Sequence, residues 1–157
     1  MSKKPEILAV KSVARSRLFH IQQLDLRFNN GTEVTFERLQ SIAAGSVLMI
    51  PVDGDELVLI KEYAAGTEQY ELGFPKGSID AGEEPLDAAR RELQEEIGMA
   101  SDNIRQLRRV ILSPAYFNRP TWIMLATSLK VAPLPGDEPE EIEHIRWPLA
   151  RICLLYT

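Results

Sequence analysis

Between Pro85 and Gly98 the chain carries its one sustained helical period, and this segment constrains the fold more than any other. Leu86, Ala89, Leu93 and Ile97 recur three or four residues apart, so on a helix they form a single apolar stripe. Pro85 suits the first helical turn, where its missing N–H has no partner to lose, and Gly98 suits a left-handed carboxyl-terminal cap. Upstream, Gly73, Pro75, Gly77 and Gly82 interrupt the stretch after Tyr70 too often for regular structure, so a constrained loop is expected to feed the helix. A single stripe must be buried against another element, and the rest of the chain offers strands.

Leu24, Leu26 and Phe28 alternate with polar residues, Asn29-Asn30-Gly31 tolerates positive φ, and Val34 and Phe36 resume the alternation, which predicts a β-hairpin. A lone hairpin is marginal in water. It must pack on the rest of the chain or on a second subunit, and a small amino-terminal sheet used in dimerisation is the expectation. Ser46 to Pro51 and Glu56 to Glu62 are rich in Val, Leu and Ile and flank Asp53-Gly54-Asp55, as two core strands around a tight turn would. Further strands are expected at Leu107 to Leu112, Trp122 to Val131 and Ile142 to Trp147, with an acidic loop at Pro133 to Pro139. Strands on both sides of one helix predict a mixed α/β sandwich. At 157 residues, one substantial core and a small appendage are all the chain can bury. The division expected is an amino-terminal β subdomain over residues 1–44 and a main domain over 45–157.

Beside the apolar stripe, Glu92, Glu95 and Glu96 share one flank of the helix. Positions three or four apart hold their β carbons about 5 to 6 Å apart. Two like charges at that spacing repel by about 3 kcal/mol at an effective dielectric of 20, and by far less in open solvent. An acidic flank is usually just a solvated face. Here, however, it stands in fixed register with the preceding loop. Gly77 is followed after five residues by Glu83, and after seven more by Arg91-Glu92-Leu93, then Glu95-Glu96, Gly98 and Met99. At background residue frequencies, chance agreement with such a pattern is on the order of one in a billion per start position. Hard divalent cations take oxygen ligands, so carboxylates gathered on one helix, with substrate phosphate oxygens, make a suitable site. Glu92 and Glu96 are the expected ligands with Glu95 close behind, while Glu83 hangs from the loop and Arg91 orients the carboxylates by charge-assisted hydrogen bonds.

The Gly77 to Met99 pattern is the complete box of the Nudix hydrolases, and the chain resembles that family over most of its length, in particular its bacterial ADP-compounds hydrolases and ADP-ribose pyrophosphatases. The resemblance implies a Nudix-type α/β/α sandwich and metal-dependent hydrolysis of the pyrophosphate bond in ADP-ribose, NADH or diadenosine polyphosphates, with release of AMP. It implies Mg2+ or Mn2+ held by Glu92, Glu95 and Glu96, by the carbonyl of Lys76, and with support from Glu83. Pro114 and Tyr116 lie fifteen and seventeen residues beyond Met99. In the family such a proline is associated with ADP-ribose hydrolysis and such a tyrosine with dinucleoside polyphosphates; alternatively Pro114 ends a strand and Tyr116 is core. In the acidic loop, Glu138, Glu140 or Glu141 resembles a mobile general base, with Glu140 the one chosen, and the alternative is a solvated charge run. Arg38, Tyr63 and Glu71 are candidate adenine or ribose contacts by the same resemblance. Related chains continue past Trp147-Pro148 into a closing helix. The ending Ile152-Cys153-Leu154-Leu155-Tyr156-Thr157 therefore reads either as a short native helix or as a truncated one.

A net charge of -5 leaves no broad cationic face for duplex nucleic acid, although small anions can bind where a local site supplies cations. No apolar run has the length of a signal core or membrane span. The one cysteine, Cys153, has no intramolecular partner, and its apolar neighbours predict a buried structural thiol. Together these fit a cytoplasmic protein with a small-molecule substrate, expected to be a homodimer. Two rival functions are a Nudix-fold regulator that binds nucleotide without cleaving it, which intact carboxylates argue against, and hydrolysis of an RNA cap, which the acidic balance disfavours.

Overall fold

The computed structural model describes residues 3–41 and 43–155. An antiparallel three-stranded sheet comes first: β1 (Glu6–Arg15), β2 (His20–Arg27) and β3 (Glu33–Gln40), in that spatial order. The expected hairpin is β2 and β3, closed across Arg27 and Glu33, with Gly31 at φ 86° in its turn. β1 was not expected, because Ile7, Leu8, Ala9 and Val10 run consecutively and blur the alternation that marks a strand. This sheet touches the remainder chiefly at the end of β3. There Leu39 N–H donates to the Tyr116 carbonyl at 2.7 Å, and Ser41 N–H to Asn118 Oδ1 at 2.7 Å.

The main body holds β4 (Ser46–Asp53), β5 (Glu56–Ala64), β6 (Gln69–Gly73), β7 (Lys76–Ser78), α1 (Pro85–Ile97), β8 (Met99–Ile111), β9 (Pro120–Val131) and β10 (Glu143–Pro148). Its sheet runs β10-β5-β4-β9-β8, with β6 added on β5 and β7 on β4; β4 and β9 are parallel and the other pairs antiparallel. The loop expected between Tyr70 and Pro85 is thus partly regular. β6 and the three-residue β7 form in it, because short strands need only a neighbour's free edge and tolerate flanking Gly and Pro. β8 also begins earlier than expected, directly after the helix cap. Its first half, Met99 to Gln106, is too polar for alternation to reveal.

β4 and β5 pair only at Val52 with Leu57 and Asp53 with Glu56. Beyond that turn they separate, β4 going to β7 and β9, β5 to β6 and β10. α1 covers the parting. Ala88, Ala89, Leu93 and Ile97 pack with Val47 and Met49 of β4, Val58 and Ile60 of β5, and Met124 and Ala126 of β9. Gly98 caps the helix at φ 66°, its N–H donating to the Leu93 carbonyl. Leu86 departs from the expected stripe: in the first turn it lies at the rim and is exposed.

After β10 the chain ends in a 3-10 helix, Leu149–Leu154, with none of its residues buried. Cys153 is therefore exposed, which overturns the buried thiol expected from its apolar neighbours. Tyr156 and Thr157 of the apolar ending lie outside the described residues. Among those described, no helix is long and apolar enough to cross a membrane.

Leu93 is fully buried at the centre of the cluster. Leu93→Ala should lower unfolding free energy by about 2 to 5 kcal/mol through lost transfer energy and an unfilled cavity. Urea denaturation measures it, and a loss below about 1 kcal/mol would mean the helix is not anchored there.

Candidate metal and catalytic site

β7 places Gly77 beside Val47 on β4, directly under α1. The Glu92 carboxyl group rests on it: a β carbon built on Gly77 would lie 1.9 Å from Glu92 Cδ. Only glycine permits that approach. One residue earlier, the Lys76 N–H donates to Glu96 Oε2 at 2.6 Å. The strand preceding the helix therefore fixes both carboxylates by backbone alone. Their exposures are 8% for Glu92 and 7% for Glu96, unusual for ionisable groups on a surface helix.

Arg91 organises the rest. Its Nε and Nη2 donate to the two oxygens of Glu83 at 3.1 and 3.0 Å, and Nη1 to Glu92 Oε1 at 2.8 Å and Glu95 Oε2 at 2.9 Å. Nη2 also reaches the Ser78 carbonyl at 2.9 Å. Arg91 thus contacts Glu83, Glu92 and Glu95, the carboxylates beside it in the sequence pattern. Glu83 is further tied by Asp80 N–H, which donates to its Oε2 at 3.0 Å.

Across the parting of the strands, Glu62 of β5 and Glu138 of the acidic loop meet Glu96. One carboxylate oxygen from each lies within 4.8 Å of the other two. Lys76 Nζ pairs with Glu62 and so bridges the two halves of the sheet. Such an all-oxygen donor set, with Glu96 buried, Glu62 half-buried and Glu138 exposed, suits a hard divalent cation. The residues expected as ligands are thus divided: Glu96 joins the three-carboxylate cluster, while Glu83, Glu92 and Glu95 surround Arg91, and Lys76 presents its N–H to Glu96. All of the expected ligands except Glu83 also line a cavity of about 470 Å³ with Ser78, Asp137 and Glu138.

Burial sets the electrostatics. Desolvation pushes the Glu96 carboxyl up to about 8, opposed by the Lys76 N–H and reinforced by Glu92. Desolvation also raises Glu92, against the pull of Arg91. Glu83 moves the other way because Arg91 donates to it. The Arg91 guanidinium, held first by Glu83, stays charged throughout.

Other expected residues lie elsewhere. Arg38, on β3, donates Nε and Nη2 to Gln22 Oε1. Tyr63 and Tyr70 stack edge to face at 5.6 Å, and Glu71 sits opposite Glu62 in register. Pro114 and Tyr116 belong to an exposed turn, with Tyr116 65% exposed and so not core. Within the acidic loop, Glu138 reaches the cluster, whereas Glu140 accepts a 2.6 Å hydrogen bond from the Tyr70 hydroxyl. Sequence reasoning missed Glu62. Its one signal was an acid ending the strand face of Val58 and Ile60.

Residues 43–151 match the NUDIX domain, and residues 5–38 match the NudE-type Nudix hydrolase N-terminal domain. The chain is 46% identical over 149 residues to the ADP compounds hydrolase NudE of Escherichia coli, covering 95% of this chain and 80% of that one. It is 26% identical over 142 residues to an ADP-ribose pyrophosphatase of Bacillus subtilis, covering 87% and 74%. A crystal structure of an ADP compounds hydrolase matches the fold with a TM-score of 0.91 at 44% identity, over 99% of this chain and 84% of that one.

Glu96 has an ordinary value of 4.5 and a folded value of about 8. Its protonated form therefore stabilises the metal-free fold below about pH 4.5, and that contribution is lost as pH rises through 8; Glu92 acts in the same direction. With a chelator present, thermal unfolding should move to lower temperature between pH 5 and 8. Adding Mg2+ at pH 8 should reverse the shift, since the ion takes the protons' place. A midpoint that rises across this window would contradict the burial of these carboxyls.

Proposed function

The chain belongs to the Nudix hydrolases, and on that premise we propose that it hydrolyses the diphosphate bridge of ADP-containing small molecules in a Mg2+-dependent reaction that releases AMP. The Nudix domain and the 46% identity to an ADP compounds hydrolase support the reaction class. The observation that carries the site is the convergence of buried Glu96 with Glu62 and Glu138 at the cavity holding Glu92 and Glu95.

Glu62, Glu92, Glu95 and Glu96 are the side chains that would hold divalent cations, with Lys76 and Gly77 contributing backbone beside them and Glu138 facing them. A bound Mg2+ would neutralise the diphosphate and lower the pKa of a coordinated water. The chain's own groups do the rest. Arg91 keeps Glu83, Glu92 and Glu95 from swinging into solvent, so the acidic wall is preorganised before substrate arrives. Water adds to one phosphorus as the bridging P–O bond breaks, the bridging oxygen leaves with the second phosphate, and the water's proton passes to a carboxylate. Glu138 suits that role better than Glu140, because it faces the cluster while Glu140 is engaged by Tyr70.

The amino-terminal sheet supports a homodimer. Ile7, Val10, Val13 and Phe36 are all exposed on a sheet bound to the main body mostly at one end, and a second copy would cover them. The exposed Cys153 accords with the reducing cytoplasm as its location.

Purified protein with Mg2+ should release AMP from at least one of ADP-ribose, NADH and diadenosine triphosphate. Glu96→Gln should fold normally and lose activity by about a hundredfold or more, since it removes one ligand charge without changing size. Chromatography of products checks both. Full turnover by the variant would displace Glu96 from the site, and tight nucleotide binding without cleavage by the wild type would favour the regulator instead.

A further inference from the structure

Arg119 stands just before β9, on the wall of a cavity of about 340 Å³ that also contains Glu62, Lys76, Glu96 and Glu138. Its Nη2 donates to the Gly45 carbonyl at 3.0 Å and to Ser78 Oγ at 2.8 Å. Nε is buried and meets no acceptor, and Arg119 forms no ion pair, among the described residues. In this acidic protein the guanidinium is thus placed beside a carboxylate cluster without being neutralised by it. That arrangement is costly for a purely structural strut. An orphaned buried donor costs about 1 to 3 kcal/mol, and a carboxylate or a carbonyl would have answered it.

Arg91 makes the contrast. It too lines the carboxylate site, yet all its nitrogens are taken by Glu83, Glu92, Glu95 and the Ser78 carbonyl. Lys76 is paired with Glu62. A phosphate entering the cavity would find these two cations already engaged, with Arg119 the one whose charge is unmatched. Guanidinium groups bind phosphate oxygens through charge-assisted and often paired hydrogen bonds. The geometry points to Arg119 as a substrate-binding residue that holds the diphosphate against the carboxylate cluster. This rests on the diphosphate reading of the site. Its action is on ground state and transition state alike, because the group it grips is present in both.

Steady-state kinetics of the full chain with Mg2+ and ADP-ribose test it. Arg119→Gln is expected to raise KM roughly 10- to 100-fold with kcat little changed, the signature of lost uniform binding. Arg119→Lys keeps the charge without the fork and should recover part of the loss. Measured against Mg2+ alone, inorganic pyrophosphate with Mg2+ should raise the Tm of the wild type and leave that of Arg119→Gln unmoved. An unchanged KM, or a fall in kcat that follows a fall in ligand-free Tm, would make Arg119 a strut and overturn the inference. Should the Gln variant not fold, the Lys variant decides: a wild-type KM there also overturns it. If the wild type cleaves no ADP compound, the diphosphate-hydrolase reading fails, and the pyrophosphate shift still judges Arg119 by itself.

Discussion

Burying two carboxyl groups on one helix is the constraint on which the rest of this structure depends. Glu92 and Glu96 sit on the flank of α1 that faces β7, and an isolated ionised carboxylate in such a place would be far too costly to keep. Three devices reduce the cost. The Lys76 N–H satisfies one oxygen of Glu96, Arg91 satisfies one of Glu92, and Gly77 leaves room for the Glu92 head group where any side chain would collide with it. What remains is met by protons or by cations. In the proposed Mg2+-dependent reaction, cations would compete with protons for these buried carboxyls.

The sheet supplies the place for this. Because β4 and β5 pair only near their turn, their other ends part, and α1 lies across the opening. Glu62 comes from one half, Lys76 and Gly77 from the other, and the acidic loop brings Glu138 over the gap. The loop is itself pinned. Leu134 N–H donates to the Gln94 carbonyl at 3.1 Å, and Gln94 Nε2 to the Ala132 carbonyl at 3.0 Å. Tyr70 then holds Glu140 at the other end. A loop so anchored presents Glu138 without requiring it to be part of a regular element.

Legibility in the sequence followed the range of the interaction. The helix from Pro85 to Ile97, its glycine cap and the carboxylates of its flank were readable, because periodicity and capping are local and the spacing from Gly77 to Met99 is covalent. The box glycine could be recognised as necessary, but what presses on it could not; Glu92 against Gly77 is a tertiary contact. Glu62 and Glu138 are thirty or more residues from Glu96, so their meeting with it could not be read locally, although the acidic loop offers Glu138 as a candidate base. β1, β6, β7 and the first half of β8 failed for a related reason. They are strands because a neighbouring edge was free, and pairing overrides a weak intrinsic pattern. Cys153 erred in the opposite sense: apolar neighbours predict burial only where the rest of the chain supplies a surface to bury against.

The charge distribution then explains how an acidic protein can take an acidic substrate. Within the site, carboxylates outnumber cationic side chains, and two of the cations, Arg91 and Lys76, spend their charge on the protein itself. Left alone, this wall would repel a diphosphate at the few ångströms that separate them, where even a screened like-charge pair costs about a kilocalorie or more. In the proposed reaction, cations held by the carboxylates would reverse the sign on one side of the cavity, and the unmatched guanidinium of Arg119 already has the right sign on the other. On the proposed function, affinity for substrate would be conditional on metal in the first half of the site and built into the chain in the second. A hydrolase arranged in this proposed way would bind its diphosphate weakly until its cations were in place, so metal occupancy, more than the shape of the cavity, would govern when it works.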